Sequence, residues 1–101
     1  MKVLLLSEKE IAGLLTIEEA MEVVKNAFRE KALGHAQMPS KVYLNFSNYN
    51  GDLRAMPAYL ERLGVASVKI VNSHPENPKK FGMPTVSAVV LLLDPKNGAL
   101  L

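Results

Sequence analysis

Lys69 is the charged side chain whose setting most needs an explanation. It stands in the run Val65 to Asn72, where the other seven residues are uncharged and the pattern predicts a β-strand. An ammonium group in such a strand either reaches solvent or lies against an anion, because burial of an unpaired charge is unfavourable. Two interpretations stay open: a strand-edge lysine that extends into solvent, or a group that binds a carboxylate or transfers a proton.

Two further cations, Lys41 and Arg54, flank the dipeptide Asn50-Gly51, a strong hairpin signal. If this dipeptide forms the turn, side-chain alternation places one set of residues on a single face: Lys41, Tyr43, Asn45, Arg54 and Met56. Cations beside hydrogen-bonding groups suit recognition of a carboxylate or phosphate, and Met56 could give a small ligand an apolar wall. A solvated outer face would have the same composition, so both interpretations are kept.

The two histidines do not form a metal-binding pattern. His35 and His74 are far apart, and the chain has no cysteine and no clustered carboxylates to complete a ligand set. His35 is expected at a helix end, and His74 is expected to fix its proline-flanked loop by a hydrogen bond, with a position lining a site as the alternative. The six glycines never take the spacing of a G-x-G-x-x-G or P-loop turn, so nucleotide binding of those types is excluded.

A long amphipathic helix must help to position these residues. A hydroxyl followed by Glu three residues later marks its start, and apolar residues then recur at intervals of three and four. The helix is predicted from Ile17 to about Leu33, with Gly34 ending it. The same start signal at Ser7 predicts only a short turn that Gly13 stops.

The hairpin is predicted from a change to period two. With Asn50-Gly51 as its turn, Tyr43 lies opposite Ala58 and Ser47 opposite Arg54. The core side of the hairpin is then predicted to be apolar: Val42, Leu44, Phe46, Leu53 and Ala55.

Three later segments complete the predicted sheet. Val65 to Asn72 is the third strand, and Thr85 to Leu93 is a further strand that is uniformly apolar after Ala88. Such apolarity predicts that both faces of the strand are covered, one by the helix and the other by another sheet or a partner. Between them, the three prolines of residues 73–84 are expected to exclude regular structure. Ala99 to Leu101 begins a strand that stops at once.

Length and composition limit the classes of function. A chain of 101 residues predicts one domain and is too short to hold both a cofactor lobe and a substrate lobe. Its net charge of +2 is too small for sequence-independent binding of nucleic acid. The absence of cysteine fits a reducing compartment, and the longest apolar run, of six residues, is far below the about 20 needed to span a membrane. A soluble, cytoplasmic protein without nucleic-acid or membrane partners is expected.

Three segments together carry a resemblance to a known family. They are GDLRAMPAY at 51–59, VKIVNSHPENP at 68–78 and PTVSA at 84–88. Over nearly its whole length the chain resembles the ornithine cyclodeaminase, archaeal alanine dehydrogenase and mu-crystallin family, and the turn Asp94-Pro95 with Gly98 adds a fourth matching segment. The form Lys41-Val42-Tyr43 is similar to the alanine dehydrogenase branch, because many relatives have Arg in place of Lys41.

This resemblance implies that residues 1–101 are the N-terminal domain, substrate-binding and dimer-forming, of an NAD(P)-dependent oxidoreductase acting on amino acids or their imines. It implies a substrate pocket of four residues and a supporting loop that contains two more: Lys41, Arg54, Met56 and Lys69, and then Asn72 and His74. Lys41 and Lys69 are implied to hold the substrate carboxylate, and Lys69 is also placed to assist proton transfer as the catalytic residue. A clamped carboxylate would turn the α-hydrogen toward the nicotinamide.

The family's Arg-Thr-Gly-Ala segment, Gly-rich nucleotide turn and catalytic Asp have no counterpart before Leu101. NAD or NADP is therefore expected to bind the parent enzyme and not this chain alone, which is expected to be truncated before the nucleotide-binding domain and to have no turnover. The predicted fold is α+β, with one long helix on a bent, mostly antiparallel sheet of five or six strands that forms a homodimer through exposed sheet surface. The alternatives are a non-catalytic dimerisation module with solvated cations, and an inactive fragment. Which amino acid, keto acid or imine is the ligand stays open.

Overall fold

The computed structural model describes residues 2–101, which form an antiparallel sheet, one long helix and two short helices. In chain order the elements are α1 (Glu8–Leu14), α2 (Ile17–Ala32), β1 (Ala36–Gln37), β2 (Val42–Phe46), a 3₁₀ turn (Ser47–Tyr49), β3 (Gly51–Leu60), β4 (Val65–Ser73), α3 (Asn77–Lys80) and β5 (Val86–Leu93). The α+β class and the antiparallel sheet predicted from the sequence are confirmed. None of these helices is long and apolar enough to cross a membrane.

Both N-terminal helices begin at capping boxes. The Thr16 hydroxyl accepts a hydrogen bond from the Glu19 amide, and the Glu19 carboxylate accepts one from the Thr16 amide at 2.9 Å. The predicted start of α2 is confirmed, and its end at Ala32 is followed by Gly34 with φ of 82°. The predicted short turn at Ser7 is instead the seven-residue helix α1, which passes through Gly13 because a single glycine weakens a helix by only about 1 kcal/mol.

The sheet has the strand order β1-β3-β4-β5, and β2 pairs with β3 beside β1. The predicted hairpin register is wrong: Tyr43 pairs with Arg54 rather than Ala58, and Phe46 pairs with Gly51. The connection is longer than a two-residue turn, because residues 47–49 form a 3₁₀ turn and Asn50 takes the left-handed conformation at φ of 48°. The shift is an even number of residues, so the predicted grouping of side chains by face is unchanged.

We name the two faces of this sheet by their side chains. The cation face is defined by Tyr43, Asp52, Arg54, Met56, Lys69 and Val90, which alternate and pair across β2, β3, β4 and β5. The apolar face is defined by Val42, Leu44, Leu53, Ala55, Ile70 and Val89. The apolar face was predicted to be the core side, but no other layer covers it among residues 2–101, and Val42 and Leu44 are exposed.

Helix α2 lies on the opposite side from the one predicted for the core. It contacts β1 and β3, and an apolar cavity of about 250 Å³ lies between Val24, Phe28 and the cation-face residues Ala58 and Ser67. Its place follows from the chain path, because Gly34 leads within two residues into β1, which pairs with the end of β3. Helix α2 therefore covers one end of the cation face and leaves the rest of it open.

Two predictions about the C-terminal part need correction, and one is confirmed. Helix α2 does not cover β5, so Val89 and Val90 are exposed on opposite faces. The proline-rich loop contains helix α3, because Pro78 occupies the first turn, where its missing amide hydrogen is not needed. The predicted start of a last strand is confirmed by the pairing of Leu100 with Leu93.

The described residues expose an unusually large surface to solvent. Their solvent-accessible area is 8241 Å², whereas a folded monomer of this mass exposes about 5,650 Å². The radius of gyration is 16.0 Å, against about 12.7 Å for a compact domain of this length. None of residues 2–101 is buried. Most apolar side chains of the sheet are therefore at least partly exposed.

Candidate functional site

Four of the six predicted site residues come together on the cation face. Arg54 and Met56 lie on β3, and Lys69 on β4 pairs directly with Met56. Lys41 stands just before β2, with its Nζ 5.9 Å from the centre of the Tyr43 ring. Because Tyr43 pairs with Arg54, the adjacent strands bring three cations and one apolar side chain to the same surface.

Arg54 is held from two directions. Its Nε and Nη2 donate hydrogen bonds to the two carboxylate oxygens of Asp52 at 2.9 and 3.0 Å. Its Cζ also lies 5.4 Å from the centre of the Tyr43 ring, within the range of a cation–π contact. The hydrogen bonds that Arg54 donates to Asp52, and then the negative charge of Asp52, raise the pKa of Arg54 above its already high ordinary value, so the guanidinium stays charged.

Lys69 lies in the interior of the sheet, since β4 is paired on both sides. The strand-edge interpretation is therefore wrong, although the side chain does reach solvent. Its cross-strand neighbours, Met56 and Val90, are both uncharged. Among residues 2–101, no carboxylate forms an ion pair with Lys69 or Lys41. These two ammonium groups are available to a ligand.

Asn72 and His74 lie elsewhere. Asn72 pairs with Leu53 and Ser87 and so belongs to the apolar side of the sheet. The His74 ring stacks on Phe46 at a centroid distance of 5.9 Å, and the His74 amide donates a hydrogen bond to the Thr85 carbonyl at 2.8 Å. His74 contributes to fixing its loop and also lines a cavity beside residues 47–50, so both interpretations stay open. Neither Asn72 nor His74 lies on the cation face.

His35 also follows its prediction, at the end of α2. Its Nδ1 lies 3.2 Å from a carboxylate oxygen of Glu30 and 3.1 Å from Nη1 of Arg62. Its carbonyl accepts a hydrogen bond from the Glu61 amide at 3.0 Å. These contacts link the end of α2 to the connection between β3 and β4, and none of their residues lies at the site on the cation face.

Asp52 is the site residue that the sequence analysis missed. It is half-buried, with 23% of its side chain exposed, and it pairs with Asn45 and Ser73 on neighbouring strands. The signal was present in the chain, because Asp52 and Arg54 are two residues apart in a predicted strand and so lie on the same face. Opposite charges at that spacing indicate an ion pair within the site.

The described residues do not fit a dinucleotide. All strand pairings among residues 2–101 are antiparallel, so they contain no strand–turn–helix unit between parallel strands. Helices α1 and α2 both carry carboxylates in their first turn, where a phosphate would be repelled. What the cation face can bind is a small anion, because charged donors on separate strands converge there beside an apolar side chain.

The family model for the ornithine cyclodeaminase/mu-crystallin family matches residues 1–101. The chain belongs to this family, as the sequence resemblance indicated. Among curated relatives, alanine dehydrogenase from Archaeoglobus fulgidus is 53% identical over 98 residues, which cover 97% of this chain and 29% of that protein. A Δ(1)-pyrroline-2-carboxylate reductase from Bacillus cereus is 30% identical over 95 residues, which cover 94% of this chain and 29% of that enzyme.

Solved structures agree with this assignment. An archaeal alanine dehydrogenase dimer with bound NAD superposes with a TM-score of 0.90 at 52% identity, over 98% of this chain and 29% of that one. The Δ(1)-pyrroline-2-carboxylate reductase of Thermococcus litoralis, in complex with NADH and L-proline, gives a TM-score of 0.83 at 42% identity, over 87% of this chain and 27% of that one. The chain thus spans about three-tenths of the length of these NAD-dependent relatives.

Proposed function

We propose that residues 1–101 act as the N-terminal substrate-binding and dimer-forming domain of an NAD(P)-dependent oxidoreductase whose substrates are amino acids or the corresponding keto or imino acids. The observation that carries this proposal is the convergence of Lys41, Arg54 and Lys69 beside Met56 on the cation face. The relatives named above, an alanine dehydrogenase and two pyrroline-carboxylate reductases, act on molecules that carry a carboxylate. A carboxylate is the group these three cations would share.

In this proposal each of the three cations has a different role in binding and orienting the substrate. Arg54 offers a planar fork that matches a carboxylate, and Lys41 adds a point charge across the Tyr43 ring. Met56 contacts the substrate carbon chain. Lys69, the unpaired ammonium at the centre of the sheet, holds the carboxylate from the other side and moves a proton at the substrate nitrogen or oxygen.

The hydride chemistry belongs to a nicotinamide dinucleotide, which accepts or donates a hydride when the enzyme has bound it. The residues of this chain do not build that binding site, so their part is to present the substrate. Holding the carboxylate on one side fixes the direction of the single α-hydrogen of the amino acid, so that it points away from the sheet and toward the nicotinamide.

Dimer formation is proposed through the apolar face. Exposed apolar side chains there have no partner layer among residues 2–101, and the described surface exceeds that of a folded monomer by about 2,600 Å². A stable protein interface buries about 600 to 1,000 Å² on each partner, so a second copy could use part of this excess. The archaeal alanine dehydrogenase structure is itself a dimer.

Isothermal titration of the full 101-residue chain with pyruvate, alanine and ornithine tests carboxylate binding. Lys69→Ala and Lys41→Ala should each weaken binding about 10- to 100-fold, since each removes a charged hydrogen-bond donor. Lys96→Ala is the matched control, because Lys96 lies in the exposed turn after β5 and should leave the affinity unchanged. Equal affinities for all four proteins would contradict the proposed site.

Sedimentation of the same samples separates the remaining alternatives. A dimer that binds none of the three ligands would identify a non-catalytic dimerisation module. A chain that neither dimerises nor binds would be an inactive fragment. Turnover is then tested with a chimera in which residues 1–101 replace the matching segment of the Archaeoglobus fulgidus alanine dehydrogenase. In this chimera Lys69→Ala should lower kcat/KM for alanine.

A further inference from the structure

Asp52 determines which part of Arg54 a ligand can reach. A guanidinium offers a side edge, made by Nε and one terminal nitrogen, and an end edge, made by the two terminal nitrogens. Asp52 occupies the side edge through hydrogen bonds of 2.9 and 3.0 Å. The end edge, with Nη1 and the second hydrogen of Nη2, donates no hydrogen bond to an acceptor among residues 2–101.

The Tyr43 ring adds a second restraint. Asp52 holds one edge of the guanidinium, and Cζ lies over the aromatic ring at 5.4 Å from its centre, within the range of a cation–π contact. All three residues lie on adjacent β2 and β3, where Tyr43 pairs with Arg54 and Asp52 is two positions away. Strands hold such residues more rigidly than loops do.

We propose that Asp52 is a positioning residue for substrate binding, which keeps the end edge of Arg54 pointed at the ligand carboxylate. This inference rests on the proposed function, in which Arg54 binds that carboxylate. It adds that binding is end-on, through the two terminal nitrogens, and that it depends on a negative residue that does not touch the ligand.

A simpler role for Asp52 predicts the opposite result. If its carboxylate only offset the positive charge of the cation face, its removal would strengthen binding of every anion, because one repulsive charge would be gone. If Asp52 positions Arg54, its removal weakens binding, because the guanidinium loses its preferred orientation and must be ordered by the ligand. The sign of the change therefore separates the two roles.

The experiment is titration of the full chain with pyruvate, for wild type, Asp52→Asn, Arg54→Lys and the double variant. Asp52→Asn has nearly the same shape, but its side chain is uncharged and has only one acceptor oxygen, so it cannot accept both hydrogen bonds from Arg54. The variant should bind pyruvate about tenfold more weakly, which is the value of one charge-assisted hydrogen bond. In the Arg54→Lys background the same change should have no weakening effect, because an ammonium has no edge to orient. Glu22→Gln on exposed α2 is the control for loss of a remote negative charge.

A second readout reports on the arginine directly. In ¹H–¹⁵N spectra the Nε hydrogen of Arg54 should be protected from exchange in wild type and in Asp52→Glu, and should lose protection in Asp52→Asn. Loss of protection together with weaker pyruvate binding supports positioning, and a change in protein stability alone would not produce it. Asp52→Glu, which retains the charge, should recover part of the affinity and serves as the test if Asp52→Asn fails to fold.

The outcomes for the two proposals are distinct. If wild type binds none of pyruvate, alanine and ornithine, the proposed function itself is overturned; if it binds only alanine or ornithine, the same four proteins are titrated with that ligand. If wild type binds and Arg54→Lys weakens binding, but Asp52→Asn binds equally well or more tightly, the function stands and the positioning role is overturned.

Discussion

The two faces of the sheet share one backbone and differ in the charge and polarity of the side chains that they carry. Val89 and Val90 are consecutive residues of β5 with exposures of 58% and 59%, yet one lies on the apolar face and the other pairs with Lys69 on the cation face. Exposure therefore does not separate the surface proposed for a second copy from the one proposed for a small anion. The neighbours separate them, because Val89 pairs with Ile70 and Val90 with an ammonium.

A single sheet can hold two such surfaces because side chains alternate along each strand. One layer then supplies both a large apolar area and a small cluster of charge. The arrangement has a cost, since the described residues leave the apolar face uncovered, cover only one end of the cation face, and expose an unusually large surface to solvent.

The largest effect is expected from a charge on the apolar face. Val89→Asp should weaken dimerisation on the order of 100-fold or more, because burial of an unpaired carboxylate costs several kcal/mol and the change occurs twice in a symmetric dimer. Sedimentation equilibrium measures it, and Val90→Asp is the matched control on the other face. Loss of the dimer in Val90→Asp and not in Val89→Asp would show that the faces are assigned the wrong way round.

Val90→Asp should in turn act on the cation face. The new carboxylate would lie directly across the strand from Lys69 and pair with it, which should weaken pyruvate binding about tenfold. Titration calorimetry measures the change, and Val90→Asn controls for shape without charge. If Val90→Asp and Val90→Asn bind pyruvate equally, Lys69 does not take part in binding.

Gly51 lies at the start of β3, where the His74 ring packs closely against the backbone. A Cβ at this position would overlap the His74 ring, so Gly51→Ala should displace that ring from Phe46 and destabilise the protein by about 1–3 kcal/mol. Gly13→Ala is the matched control, because nothing lies near its Cβ position and a helix gains about 1 kcal/mol from this change. Urea denaturation should show opposite signs. If Gly51→Ala left the stability unchanged or raised it as Gly13→Ala should, the expected overlap with the His74 ring would be contradicted.

The smallest effect concerns a helix that belongs to neither face. The Ser7 amide, and then the Ser7 hydroxyl, donate hydrogen bonds that lower the pKa of Glu10, so the ionised carboxylate is favoured in folded α1. Its contribution is complete above the ordinary pKa of a glutamate and is lost as pH falls below that pKa and through the lowered one. Circular dichroism should show a small helix loss in that range, absent from Glu10→Gln. Dimerisation of Glu10→Gln at neutral pH should equal that of wild type.

Local patterns predicted local structure well. The bounds of α2 follow from a capping box and an apolar period that involve only near neighbours. The side of the sheet on which α2 packs was not predictable, because an apolar stripe shows that a helix packs but not against which surface. That choice depends on the short path through Gly34 into β1.

The site was predictable to the extent that alternation determines it. Alternation grouped Lys41, Arg54 and Met56, the family resemblance added Lys69, and the structure places all four on the cation face. The separation of Asn72 from them also follows from alternation, since it is three residues from Lys69 and must point to the other side. The pairing register of β2 and β3 could not be predicted from the sequence, because the conformation of Asn50 depends on how the whole hairpin packs.

The four-residue connection between β2 and β3 has a consequence for how this hairpin can change in length. Deletion or insertion of two residues there would still leave Tyr43 and Arg54 on one side of the sheet, as the two-residue turn predicted from the sequence would have done. A change of one residue would have to be absorbed by a bulge, or it would turn one strand over and exchange its charged and apolar side chains. Length variants of this loop among functional homologues should therefore differ in steps of two.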